Sequence, residues 1–252
     1  MADRATRHRV VDAVFVTAVL ATGFLAYAYG NAPAMPDDVC ETTGGPRYSE
    51  LLADGRITIA AVLGELNNHG RHDFNAASAR TLATGLRARG FVETAPSHFE
   101  AGELVVDFAL YPHDNPRIGR ALTEAFATHE LVYFTGHSDD GEVPFSVPAD
   151  YRIALLDTCW STQLYSARVI GPDHDVIGNS DRSVTGSIDS LLVAIDALRA
   201  RAPAWQPVLD TMNARSEARA RIRAPISRYK APEHYRLDSS CHGKSARQHA
   251  SR

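Results

Sequence analysis

Two reactive side chains each follow a short apolar run of the sequence. His137 comes after residues 131–135, and Cys159 comes after residues 153–156. Such runs are typical of buried strands in a parallel sheet, whose working groups lie just beyond the carboxyl ends of the strands. A thiol nucleophile needs a nearby imidazole to take its proton and later deliver it to a leaving amine. The pattern therefore predicts attack on carbonyl compounds by a Cys-His pair.

The same loops hold backbone donors for the negative charge that develops on a carbonyl oxygen during such an attack. The N–H groups of Ser138 and Cys159 lie in the positions along the chain that an oxyanion site would need. The sequence identifies no third residue that would orient His137. In the alternative interpretation, Cys159 is a small buried apolar residue and His137 is a loop histidine bonded to backbone. Their placement after consecutive apolar runs favours the chemical interpretation.

Alternating strand and helix patterns surround this pair and indicate how it is positioned. Strands are predicted at residues 57–64, 91–94, 104–108, 131–135, 153–156 and 175–179, and helices at residues 76–89, 116–128, 188–199 and 205–222. This alternation predicts an α/β domain over residues 56–225, with a doubly wound, mostly parallel sheet and helices on both faces. The composition, 44% hydrophobic and 22% charged, is that of a globular protein. The net charge of −4 gives no indication of a nucleic-acid partner.

The N-terminal residues 1–30 predict a membrane-targeting segment. Three arginines precede an apolar stretch at residues 10–30, which approaches the ~20 residues needed to span a bilayer. An uncleaved transmembrane anchor, a cleaved signal peptide and a buried helix of the domain are the three interpretations. The first two predict a membrane partner or secretion, with the domain exported to a periplasmic, extracellular or lumenal side. A linker at residues 31–55 and a basic, flexible tail at residues 226–252 flank the domain.

Cysteine usage fits export to an oxidising compartment. Cys40 lies just after the apolar N-terminal stretch, and Cys241 lies near the C-terminus. A disulfide between them would tie the two ends of the chain together, and two unpaired thiols are the alternative. Either way Cys159 remains as the odd, free thiol.

The two strand-end motifs resemble those of the caspase-like cysteine peptidase clan. Residues 133–137, Tyr-Phe-Thr-Gly-His, are similar to the legumain and GPI-transamidase branch, and Asp157-x-Cys159-x-Ser161 resembles metacaspases. The resemblance covers roughly residues 57–198. It implies a caspase-like fold in which His137 is the catalytic histidine, Cys159 the nucleophile, and the N–H groups of Ser138 and Cys159 the oxyanion donors.

Two features depart from that family pattern. The family usually has glycine after the histidine, and this chain has Ser138, which tolerates fewer backbone angles. Cys159 also follows His137 by only 22 positions, which is short for the clan. Because parallel neighbours need a crossover of a dozen or more residues, we expect the connection at residues 139–152 to lack the helix usually found there.

The resemblance also suggests substrate-binding residues. Metacaspases carry an acidic residue two positions before the cysteine in the pocket for a basic P1 side chain, so Asp157 and also Asp181 would suit lysine or arginine. Asp157 is equally interpretable as a turn-stabilising or capping residue. Arg71, with the histidine after it, resembles an Arg-His pair in the legumain branch, where that loop helps bind P1 asparagine. The sequence does not choose between these preferences.

The predicted protein is therefore a cysteine endopeptidase or transpeptidase that acts on a peptide or protein through an acyl-enzyme. No cofactor is predicted. Asp139 and Asp140 beside His137 lack a second histidine at ligand spacing, so a solvated acidic turn is favoured there over a metal site. The alternatives are a catalytically degenerate scaffold protein of the cell envelope and a metal-dependent α/β hydrolase.

Overall fold

A seven-stranded mixed sheet organises the part of the chain that the computed structural model describes, residues 44–65, 74–112, 114–169, 174–179, 183 and 188–223. The strand order is β2-β3-β4-β1-β5-β6-β7. The five strands from β4 to β7 in this order run parallel, and β2, β3 and β4 are antiparallel neighbours. The strands are β1 (Ile57–Gly64), β2 (Val92–Ala95), β3 (His98–Ala101), β4 (Leu104–Tyr111), β5 (Leu131–Thr135), β6 (Ile153–Asp157) and β7 (Asp175–Gly178).

Helices cover both faces of the sheet. One core joins alternate strand residues such as Ile59 and Leu155 to α1, α2, α5 and α6, and the other joins residues such as Val62 and Leu156 to α3 and α4. This three-layer arrangement confirms the prediction of a mostly parallel α/β domain. The helices are α1 (Tyr48–Leu51), α2 (Phe74–Ala88), α3 (Asn115–Thr128), α4 (Ser161–Val169), α5 (Asp189–Arg199) and α6 (Gln206–Arg223), with a 3-10 helix at Asp139–Gly141.

Burial of the central strands explains why they could be predicted from the sequence. All five residues of β5 and all five of β6 are buried, so each is apolar almost throughout. The hairpin strand β3 was not predicted, because the side chains of His98 and Glu100 make it partly polar and only Phe99 is buried. The helix α4 was also not predicted, because its first residues are small and polar.

The connection between β5 and β6, residues 139–152, contains a single 3-10 turn and no α-helix, as expected from its length. Side chains fill the space instead. Val143 is buried in the core beside α3, and the Phe145 ring lies 5.7 Å from the Phe126 ring and 5.6 Å from the Tyr165 ring, centroid to centroid. The short connection is therefore packed against α3 and α4 rather than looped into solvent.

Several predictions fall outside the described residues. These are the membrane-targeting segment at residues 1–30, the possible Cys40–Cys241 disulfide, and the tail at residues 226–252. Among the helices that the structure does describe, none combines the length and the apolarity that crossing a bilayer requires.

Candidate active site

The two reactive residues lie at the same edge of the sheet. β5 and β6 are parallel neighbours, and Thr135 is paired with Asp157 in their register. His137 and Cys159 each follow these paired residues by two positions. Because neighbouring strands lie about 4.8 Å apart, the register places the two residues just after adjacent carboxyl ends, where α/β proteins hold their working groups.

Both side chains have access to solvent. His137 is exposed, and Cys159 is half-buried and forms no disulfide. The alternative in which Cys159 is a buried apolar residue does not describe this position. A thiol nucleophile must reach a bound carbonyl carbon, and a proton carrier must reach the leaving group, so this degree of access suits the chemical interpretation.

A sharp turn presents Cys159 between β6 and α4. The next residue, Trp160, has a φ of +48°, which is uncommon for a residue with a side chain and costs on the order of 1 kcal/mol or more. The Trp160 ring packs against the core beside α3 and α4, which offsets that strain. Cys159 thus stands just ahead of the N-terminus of α4, where the helix dipole favours a negative charge.

The start of α4 is fixed to the end of β7. The Ser161 hydroxyl donates to the Leu156 carbonyl at 2.5 Å and accepts from the Asn179 N–H at 2.9 Å. The Thr162 N–H donates to the Asn179 carbonyl at 3.1 Å. These bonds join three consecutive elements of the chain, so the turn that carries Cys159 is held from both sides.

Ser138 occupies an unstrained backbone conformation. Its φ of −77° and ψ of −24° lie in the right-handed helical region, which serine adopts as readily as glycine does. Its carbonyl accepts hydrogen bonds from the Gly141 N–H at 2.9 Å and from the Tyr165 hydroxyl. A serine at this position is therefore compatible with the turn after His137.

The carboxylate of Asp157 lies inside the protein, where it is only 2% exposed. This buried position matches the alternative interpretation of Asp157 as a residue that stabilises the turn. The contact of Asp157 with a basic substrate stays a prediction. Burial, reinforced by the charge of Asp157, raises the pKa of the Tyr133 hydroxyl well above its usual range, so that hydroxyl remains a donor. Four groups donate to the carboxylate: the Tyr133 hydroxyl at 3.3 Å, the Asn179 Nδ2 at 2.8 Å, the Ser183 hydroxyl at 2.8 Å and the Ser190 hydroxyl at 2.9 Å.

Sequence reasoning missed Asn179, Ser183 and Ser190. Asn179 directly follows the apolar strand β7, so it is a third polar residue at a strand end and this signal was available. Ser183 and Ser190 carry no comparable signal, because serine is common in loops and at helix starts. The two other predicted substrate-binding residues, Arg71 and Asp181, lie outside the described part of the chain.

A second polar cluster lies away from this edge, on β3, β4 and the end of α3. The Asp107 carboxylate bonds to His98 Nδ1 at 2.7 Å and to His129 Nε2 at 3.2 Å. Hydrogen bonds with Asp107 and Glu100 raise the pKa of His98. Side chains of this cluster are partly exposed, and within the described residues no group of three potential ligands is arranged to hold a metal ion.

The fold is that of a mostly parallel α/β protein, in which His137 and Cys159 follow adjacent strands at the carboxyl edge of the sheet. No protein-family model, no curated protein and no solved structure matches this chain. A more specific assignment therefore depends on the geometry of the strand ends and on the resemblance of their motifs.

Proposed function

We propose that this chain is a caspase-like cysteine endopeptidase or transpeptidase that acts through an acyl-enzyme. The observation that carries the proposal is the register of β5 and β6, in which His137 and Cys159 follow the paired residues Thr135 and Asp157 by the same number of positions. The membrane-anchored or secreted location remains part of the proposal and depends on the sequence of residues 1–30 alone.

The reaction begins when the Cys159 thiol gives its proton to His137 and the sulfur attacks the carbonyl carbon of the scissile peptide. The N–H groups of Ser138 and Cys159 donate to the oxyanion. His137 then protonates the leaving amine as the C–N bond breaks, which leaves a thioester on Cys159. Water resolves the thioester in a peptidase, and an amine does so in a transpeptidase, with His137 taking the proton in either case.

Three features support this mechanism over a degenerate scaffold. Cys159 is half-buried rather than sealed in the core, His137 is exposed after the neighbouring strand end, and the residue after the cysteine adopts a left-handed backbone conformation. Strained backbone of this kind concentrates at functional sites.

The test uses a fluorescent, thiol-reactive peptide probe on the full chain, with lysine, arginine or asparagine at P1. We expect labelling to disappear in Cys159→Ala and to fall at least about 100-fold in His137→Ala, since general base catalysis contributes roughly 10²–10⁴-fold. Cys40→Ala and Cys241→Ala are matched controls and should label like the wild type. Labelling that persists in both Cys159→Ala and His137→Ala would refute the enzyme. Activity abolished by a chelator but indifferent to iodoacetamide would favour the metal-dependent hydrolase.

A further inference from the structure

The sulfur of Cys159 accepts a hydrogen bond from a residue that lies 24 positions later in the chain. The donor is the backbone N–H of Ser183, at 3.4 Å from Sγ, which is a normal length for a bond to the large sulfur atom. The side chain of the same serine is bonded to the end of β6: its hydroxyl lies 2.8 Å from Asp157 Oδ1 and 3.3 Å from the Asp157 carbonyl oxygen. One residue therefore contacts both the thiol and the carboxylate two positions before it.

The carboxylate that anchors Ser183 is itself fixed from three other elements. Tyr133 donates from β5, Asn179 donates from the end of β7, and Ser190 donates from α5. Because Asp157 is 2% exposed, water does not compete strongly for these bonds. The Ser183 N–H is thus held against the sulfur by a network of hydrogen bonds centred on Asp157.

A donor at this position has a chemical consequence. A thiol is a weak acceptor, whereas a thiolate is a strong one, so an N–H aimed at the sulfur stabilises the charged form more than the neutral form. The titratable side chains of the described residues near the ends of β5 and β6 include His137, Asp139, Asp157, Tyr133 and Tyr165. The negative charges of the two aspartates oppose the thiolate, and the Ser183 N–H acts in the opposite direction.

We propose that Ser183 is a positioning residue whose side chain, tethered to Asp157, holds its own N–H on the Cys159 sulfur and so stabilises the nucleophilic thiolate. This inference rests on the proposed function, because the thiolate matters only when Cys159 is the nucleophile. The contact itself can be tested without any substrate. Ser183 would then be the third residue of the site, which the sequence did not reveal. It acts on Cys159 rather than on His137.

The experiment follows alkylation of Cys159 by iodoacetamide as a function of pH in the full chain. Mass spectrometry of the tryptic peptide at residues 153–168, in which Cys159 is the only cysteine, separates this thiol from the other two. Ser183→Ala removes the tether and leaves a backbone N–H that is no longer held. We expect the Cys159 thiol pKa to rise by about one unit, with alkylation about tenfold slower below that pKa.

Two variants serve as matched controls. Ser183→Thr keeps the hydroxyl and should react within about threefold of the wild type, and Ser190→Ala removes a different donor to Asp157 and should also stay within about threefold. Equal pH profiles for Ser183→Ala and the wild type would overturn the proposal. So would an equally large shift in Ser190→Ala, because the effect would then be a general loosening of the network.

The outcome is distinguishable from failure of the proposed function. A shifted alkylation profile in a protein that never labels with peptide probes would support the contact and refute the peptidase. An unchanged profile in a protein that labels through Cys159 and His137 would refute the contact and leave the peptidase standing. Circular dichroism and the thermal midpoint of each variant establish that alkylation is measured on folded protein.

Discussion

The close approach of the β5–β6 connection to α3 gives the sharpest test of the fold around the site. Gly119 lies in α3 facing this connection, and a Cβ atom built on it would lie 2.1 Å from the Pro144 carbonyl oxygen. Real Cβ atoms essentially never come within 3.0 Å of such a neighbour. The Gly119→Ala substitution therefore requires α3 and the connection to separate by roughly 0.9 Å.

Two opposing contributions set the change in the free energy of unfolding that Gly119→Ala causes. Alanine in place of glycine in a helix interior favours folding by about 1 kcal/mol. Overpacking of a tight site costs about 1–3 kcal/mol, and the cost is at the upper end here because the obstructing atom is backbone and cannot rotate away. The net expectation is a loss of about 2 kcal/mol, which lowers the thermal midpoint of a domain of this size by about 4–8 °C.

The assay is guanidinium unfolding of the full chain followed by circular dichroism, with Gly85→Ala as the matched control. Gly85 is also in a helix interior, but its Cβ would meet the Leu192 Cδ1 atom at 2.7 Å, a flexible side-chain end that can move. We expect Gly85→Ala to stay within about 1 kcal/mol of the wild type. A Gly119→Ala protein that is as stable as the wild type, or is stabilised by the helix term, would refute the packing of the connection on α3.

Two further predictions concern other parts of the described structure. Gly178→Ala places a Cβ 2.8 Å from the Thr162 Oγ1 atom, whereas the Cβ of the control variant Gly64→Ala meets nothing closer than 3.3 Å. Thermal unfolding should therefore show that Gly178→Ala lowers the free energy of unfolding by about 1–3 kcal/mol, clearly more than Gly64→Ala does. An equal loss in the two variants would contradict the close packing of α4 on β7. Hydrogen bonding to Asp107 raises the pKa of His98 in the folded state. Protonated His98 therefore contributes fully to the free energy of unfolding below its unfolded pKa of about 6.5, and this contribution is lost as pH rises through the folded pKa. His98→Gln should therefore reduce the free energy of unfolding more at pH 5.5 than at pH 9, and a pH-independent difference would contradict the ion pair.

The sequence allowed correct prediction of the central strands and of the two strand ends, because these depend on local runs of apolar residues. β5 and β6 are buried on both faces, so nearly every residue in them is apolar, and their boundaries fall within a residue of the prediction. The site residues His137 and Cys159 follow from those boundaries. Whether the two ends meet depends on register, which the sequence indicated only through the order of elements.

The parts that the sequence did not reveal depend on contacts between distant residues. The helix α4 has little apolar periodicity, and its first turn is fixed by bonds from Ser161 and Thr162 to Asn179. The partners of Asp157 lie between 22 and 33 positions away along the chain. No local pattern can predict which of several polar residues will meet at such a distance, and this is why the sequence did not predict the contacts of Ser183 with Asp157 and Cys159.

The two features in which the chain differs from the caspase-like motifs that it resembles also have physical explanations, which are compatible with the proposed chemistry. A serine after His137 would be costly only if that residue needed a positive φ, and Ser138 has a φ of −77°. A short connection would weaken the site if it left the face of the sheet beside α3 uncovered. Phe145 covers part of that face, where its ring packs against the rings of Phe126 and Tyr165. The packed connection adds side-chain contacts beside β5 and β6, whose register places His137 and Cys159 after adjacent strand ends. We therefore expect the stability of the connection and the reactivity of the thiol to change together.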